Sequence, residues 1–285
     1  MEQHFEFDTG SGVIRGSVRG SNGPLVVMEN GLSISRYAWD WLARALEDRC
    51  RVLTYDRLGT GESDATDAPV SAIDSARRLE RLLANKVAGE PFILVGYSYG
   101  GIVTREYVDR NSASLAAWVL IDPSGADYPQ LIKSKVARNA RMVSRANRMA
   151  ACMQPILPKR LNRWVVDGLH DDIVGRAVDS VHSSKHLRGS ANEWAGFAES
   201  SWHAARICPP KQLPITIISA GTPFDASWDD IVPAMQASHR RQAESSEQGE
   251  WHVLETANHM SILLNSDHSN RLAEIILSLV FRVEK

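Results

Sequence analysis

Cysteine is scarce: Cys50, Cys152 and Cys208 are the only three in 285 residues. Odd in number and far apart, they fit neither a disulfide framework nor zinc-ligand spacing, so a reducing, cytoplasmic setting is the expectation. Charge of one sign is missing too. A formal net charge of −2 gives no general pull toward nucleic acid or an anionic membrane. Long apolar runs are absent: "AAWVL" and "LSLVF" fall far short of the roughly 18 to 20 residues that span a bilayer. The opening "MEQHFEFDTGSGVIRG" has no basic stretch followed by an apolar one, so no secretory leader is expected. No internal repeat or low-complexity tract stands out.

What is present is a chain with 44% hydrophobic residues, enough for a large core. "HFEFD" and "VIRGSVRG" flank the turn-like "TGSG" and read as a hairpin. "PLVVMEN", "RVLTYD", "FILVGY" and "AAWVLID" read as strands. Between them lie helical patterns over Tyr37–Asp48, Ser71–Lys86 and Gly100–Asn111. Strands alternating with helices predict a mostly parallel sheet covered on both faces. From Asp127 to Gln212 the β-branched runs stop and helical segments rich in Arg, Trp and Met take over. The alternation resumes with "LPITIISAG", "EWHVLET" and a closing helix over Asp267–Phe281. The expectation is an α/β core of residues 1–126 and 213–285 carrying a helical insertion at 127–212.

"ILVGYSYGG" sets Ser98 between Gly96 and Gly100 where a strand passes directly into a helix. That is the G-x-S-x-G elbow, a tight and strained turn that projects the hydroxyl from the sheet edge and aims helix amides at the reacting centre. The chain resembles the α/β-hydrolase fold family over nearly its whole length. The resemblance is carried by "GYSYGG", by "YDRLGTGESD" in the place of a D-R-x-G-x-G-x-S loop, by "VVMENGL" where a strand usually ends in His-Gly, and by "ETANHMSILL" where the catalytic histidine usually stands. It implies a mostly parallel sheet flanked by helices, with a helical cap (127–212) inserted after the sixth strand.

A serine nucleophile needs a base, and histidine suits neutral pH. His259 follows the last strand and comes after the serine, the order this fold implies. For the acid that orients the imidazole, two candidates stay open: Asp122, which closes "AAWVLID", and Asp225, in the loop after "ITIISAG". The reading leans to Asp122, because one residue too many separates Gly221 from Asp225 for the family's usual spacing. By the resemblance, the backbone N–H groups of Tyr99 and Leu32 form the oxyanion hole. Asn30 and Asn258 depart from the family pattern, and each is expected to reshape a loop or offer an amide near the pocket. His252 reads as structural. His182 and His186, spaced i, i+4, read as a solvated pair rather than metal ligands.

Charge divides unevenly: residues 127–212 carry 14 Lys and Arg against 7 Asp and Glu, and the rest 18 against 27. On the first helix of the insertion, Ile132, Val136, Val143 and Ala150 face one way, with Arg138, Arg141, Arg145 and Arg148 opposite. The stripe reads as a solvated face, with an acidic substrate or acidic acyl-carrier protein as the sharper alternative. Trp164, Trp194, Trp202, Met142, Met149 and Met153 read as the interior of the cap, with the lining of an apolar pocket for an acyl or aryl group as the alternative. The resemblance implies a serine hydrolase acting on a small-molecule ester or lactone, with no cofactor, metal, nucleic acid or membrane involved. The alternatives are a thioesterase or acyltransferase of a biosynthetic pathway, and a non-catalytic ligand-binding protein on the same fold. An elbow serine speaks against epoxide-hydrolase or haloalkane-dehalogenase chemistry, for which the family uses aspartate.

Overall fold

The turn after the first strand needs left-handed backbone, which Gly10 and Gly12 supply at φ 78° and 137°. It folds β1 (Glu2–Asp8) onto β2 (Val13–Arg19) as an antiparallel hairpin. The computed structural model describes residues 2–66, 70–87, 89–124, 133–159 and 166–283. Six further strands follow: β3 (Leu25–Glu29), β4 (Arg51–Tyr55), β5 (Phe92–Tyr97), β6 (Leu115–Ile121), β7 (Ile215–Ala220) and β8 (Gly249–Leu254). All eight join one sheet in the order β1-β2-β4-β3-β5-β6-β7-β8. β2 meets β4 antiparallel, and from β4 onward every pairing is parallel.

Central strands buried on both faces carry apolar residues at every position, and the pleat sends alternate ones to opposite sides. On β5, Phe92 and Leu94 enter the core layer beneath α2 (Ala72–Lys86) and α3 (Tyr99–Asn111). Ile93, Val95 and Tyr97 enter the layer shared with α1 (Asp40–Leu46) and the closing helix Ser266–Val283. Ser71 opens α2 with a capping box, accepting from the Asp74 amide at 3.1 Å while Asp74 accepts from the Ser71 amide at 3.3 Å.

Among the described residues between β6 and β7 run three α-helices, α4 (Lys133–Met153), α5 (Asp171–His182) and α6 (Ser184–Ala204). The order then continues with α7 (Ile231–Ala243), the single turn α8 (Ser261–Leu264) and α9 (Ser266–Val283). α4 packs on α6 through small and polar groups. The Ser144 hydroxyl donates to Ala191 O at 2.8 Å, Ser184 to Ala151 O at 2.9 Å, and Asn147 Nδ2 to Ser190 Oγ at 2.8 Å. This corrects the expectation for the methionines: Met142, Met149 and Met153 are exposed, at 63%, 64% and 42%, as is Trp202. A seam of Ala140, Ser144 and Ala151 brings the two backbones too close to admit long side chains. Arg138, Arg141, Arg145 and Arg148 are exposed, and Arg148 also donates to Asn192 Oδ1 at 2.9 Å. Ile132 and Trp164 lie outside the described residues. No helix among the described residues is long and apolar enough to cross a membrane.

Candidate active site

β5 ends at Tyr97 and α3 starts at Tyr99, so Ser98 makes the whole turn alone, at φ 52° and ψ −118°. A non-glycine residue in that region is strained and persists only where its surroundings hold it. Here the Gly101 and Ser124 amides donate to Ser98 O at 2.9 and 3.0 Å, and the Ser98 amide donates to Ile121 O at 3.1 Å. The close approach of α3 to β3 explains one glycine: a Cβ on Gly100 would lie 2.3 Å from Glu29 O.

Asp122, one residue past β6, is also left-handed, at φ 39°. Its amide donates to Ile218 O at 2.7 Å, and its Oδ1 accepts from the Ala220 amide at 3.1 Å, so the neighbouring strand β7 fixes the carboxylate. His259 lies two residues after Ala257, whose amide closes a turn to Leu254 O at 3.0 Å at the end of β8. His259 Nδ1 stands 2.6 Å from Asp122 Oδ2 and Nε2 stands 3.1 Å from Ser98 Oγ. Burial pushes the Asp122 carboxyl up, but the His259 hydrogen bond, the His259 and His239 charges and the Ala220 amide outweigh it and hold it below the ordinary value. An ionised Asp122 requires the proton on Nδ1, which leaves Nε2 free to accept from the serine hydroxyl.

Asp225 is exposed, at the start of the short turn Ala226–Trp228, where its carbonyl accepts from the Trp228 amide at 2.9 Å. The loop it sits in supplies rings instead. Phe224 and Trp228, with Leu32, Tyr97, Trp194, Phe197 and Met235, border a cavity of about 260 Å³ that reaches Ser98 and His259. Among the described residues no lysine, arginine, aspartate or glutamate lines it. The His259 ring is near-parallel to Tyr97 at 5.1 Å and to Trp228 at 6.4 Å, and the Tyr97 hydroxyl donates to His259 O at 2.5 Å.

Other expected residues sit elsewhere. Asn30 is buried, donating to Tyr55 O at 2.8 Å and accepting from Trp39 Nε1 at 2.7 Å, so its amide braces the core rather than the cavity. Asn258 caps the turn after the histidine, its Oδ1 accepting from the Met260 and Ser261 amides at 3.0 and 2.8 Å. His182 and His186 are not a solvated pair: both are buried, on separate helices broken at Ser183, whose ψ is 144°. His182 Nε2 meets Leu157 O at 3.0 Å. His186 Nδ1 accepts from the Gly61 amide at 2.9 Å, and its Nε2 meets Ser33 O at 3.2 Å. Burial pulls His186 down to about 4. No group of three or more His, Cys, Asp or Glu able to hold a metal occurs among the described residues.

Sequence reasoning gave no role to Arg57, Glu29, Glu193 or His239. His239, wholly buried, has Nδ1 2.9 Å from Ser219 Oγ and Nε2 2.8 Å from Pro123 O, bracing the Pro123–Ser124 peptide just past Asp122. One signal was legible: a charged residue, Glu29, closing the otherwise apolar strand "LVVME".

Residues 26–275 match the model of the alpha/beta hydrolase family. The Bacillus subtilis protein YqjL is 32% identical over 109 residues, 38% of this chain and 43% of that protein, so the match spans under half of that relative's length. Among solved structures, an esterase from the thermophile Thermogutta terrifontis superposes with a TM-score of 0.70 at 19% identity, covering 99% of this chain and 100% of that one. A mutant of the Vigna radiata epoxide hydrolase superposes with 0.76 at 13% identity, covering 97% and 98%. At such identities the two structures carry the fold alone.

Proposed function

The chain belongs to the alpha/beta hydrolase family, and from that premise we propose that it is a serine hydrolase cleaving a carboxylic ester, lactones included, through an acyl-enzyme on Ser98. The observation that carries the reading is the hydrogen-bonded line from Ser98 Oγ through His259 to Asp122. His259 Nε2 takes the hydroxyl proton as Oγ attacks the carbonyl carbon, and Asp122 holds the ring and the charge it gains. The tetrahedral oxyanion is received by the Tyr99 amide, one of the first N–H groups of α3 that have no partner within the helix, and by the Leu32 amide. His259 then protonates the leaving alcohol, and water, deprotonated by the same nitrogen, releases the acid. In this reading residues 127–212 are a cap whose Trp194 and Phe197 wall the acyl site.

Nucleophile chemistry separates this reading from epoxide opening. A serine that opened an epoxide would be left as an ether, with no carbonyl for water to attack, and turnover would stop. An ester leaves an acyl-enzyme that water can cleave. Exposed Arg138, Arg141 and Arg145 favour a second reading, a thioesterase or acyltransferase that meets an acidic acyl carrier at α4. Under it, Arg141→Glu with Arg145→Glu abolishes the salt dependence of turnover on an anionic thioester.

The deciding experiment is intact-mass analysis after treatment with a fluorophosphonate. One adduct on the wild type, lost in Ser98→Ala and His259→Ala, is expected. An adduct that persists in Ser98→Ala, or none on folded wild-type protein, overturns the proposal.

A further inference from the structure

Arg57 follows β4 and is 3% exposed, yet its guanidinium is shared among four acceptors. Nη1 donates to Glu29 Oε1 at 2.5 Å and to Asn30 O at 2.6 Å, Nη2 donates to Gly31 O at 2.8 Å, and Nε donates to Glu193 Oε1 at 2.5 Å. Glu29 also accepts from the Tyr55 hydroxyl. Burying such a cluster is costly, and packed apolar side chains commonly serve stability as well. What the cluster does that they could not is hold particular carbonyl oxygens in particular directions.

Gly31 O and Leu32 N–H belong to one planar trans peptide, in which carbonyl and amide point to opposite sides. Fixing one end of that unit fixes the other. The unit lies against the nucleophile: a Cβ on Gly31 would stand 3.3 Å from Ser98 Cβ, and Leu32 borders the cavity. The far side of the cluster belongs to α6. From that helix Glu193 grips Arg57, while Trp194 Nε1 donates to Ser33 Oγ at 2.9 Å, Ser190 bonds the same hydroxyl, and His186 meets Ser33 O. The loop that presents the Leu32 amide is therefore held by the inserted helices as well as by the core.

We propose that Arg57 is a positioning residue: its guanidinium orients the Gly31–Leu32 peptide so that the Leu32 N–H faces the oxyanion, and Glu193, reaching from α6, holds the guanidinium in that pose. The proposal rests on the hydrolase reading above. It makes seating of the inserted helices a condition for a complete oxyanion hole. Lysine is no substitute, since a single ammonium cannot serve four acceptors in a planar fork.

The test uses the full chain with p-nitrophenyl butyrate as substrate, phenylboronic acid as a tetrahedral mimic bound through Ser98, and benzyl alcohol as a ground-state ligand. Arg57→Lys should lower kcat about a hundredfold and Glu193→Gln about tenfold, with KM within about twofold. Boronate affinity should fall in step with kcat, benzyl alcohol binding should hold, and the pH midpoint of the rate should stay in place. A folded variant with wild-type kcat and boronate affinity overturns the proposal. So does a loss confined to KM with both ligands weakened equally, which would make Arg57 a brace of the cavity wall. If Arg57→Lys does not fold, the near-isosteric Glu193→Gln decides alone. Wild-type protein that takes no fluorophosphonate and cleaves no ester would sink the hydrolase reading itself, whereas labelled wild type with insensitive variants sinks only the role of Arg57.

Discussion

Two acidic residues are candidates for one imidazole in the sequence, and the polypeptide backbone brings Asp122 within hydrogen-bond reach of it. Asp122 sits in a left-handed turn held by the Ala220 amide and the Ile218 carbonyl of β7, whereas Asp225 is exposed at a turn of its own. Asp122→Asn should lower kcat by about ten-thousand-fold through loss of the Nδ1–H tautomer, and Asp225→Asn should leave it near wild type; steady-state rates on p-nitrophenyl butyrate check both. His186 sets an acid limit on stability. Its folded value is depressed to about 4, against about 6.5 in an unfolded chain. Neutral His186 therefore stabilises fully above the unfolded value, and the contribution is lost as pH falls through that window. The loss for this one proton is about 1.4 kcal/mol per pH unit. Urea midpoints measured from pH 7 to 4 should fall less steeply in His186→Gln than in wild type. Neither histidine of the i, i+4 pair could be assigned from spacing, because the break at Ser183 that parts them comes from packing onto the loops at Ser33 and Gly61.

At the level of elements, the strands and the flanking helices α1, α2, α3 and α9 were legible because each carries its own period: every position apolar in β5, one apolar face in α2. The seam between α4 and α6 was not, because it is built from alanine, serine and asparagine, small or polar residues that carry little hydrophobic signal. The contact of α6 with the loop after β4 depends on small volume too. Gly189 of α6 rests on Gly59, and a Cβ there would stand 2.0 Å from Gly59 O. Gly189→Ala should push α6 off the loop after β4, costing about 1 to 3 kcal/mol and lowering kcat with it; thermal melts and rates measured together check the coupling. The elbow, by contrast, was read directly, since glycine on either side of a serine at a strand-to-helix junction has few other uses.

For the molecule as a whole, composition located a charge imbalance but not the cavity, whose rings come from segments distant in sequence: β5, the loop after β7, and α6. An uncharged cavity should select acyl groups by fit. Across p-nitrophenyl esters of rising chain length, kcat/KM should climb about fourfold per methylene, the equivalent of about 0.8 kcal/mol each, and then drop once the space is full. Trp228→Ala should move that drop to longer chains, and a flat profile in both proteins would show that the acyl group lies elsewhere.

Because the residue just past β6 carries the carboxylate, the segment after β7 borders the cavity through Phe224 and Trp228, and neither ring belongs to the hydrogen-bonded line. Inherited changes in that segment can alter which molecule is accepted while leaving intact the way its bond is cut. In descendants of this chain, taste and chemistry can therefore diverge on separate clocks.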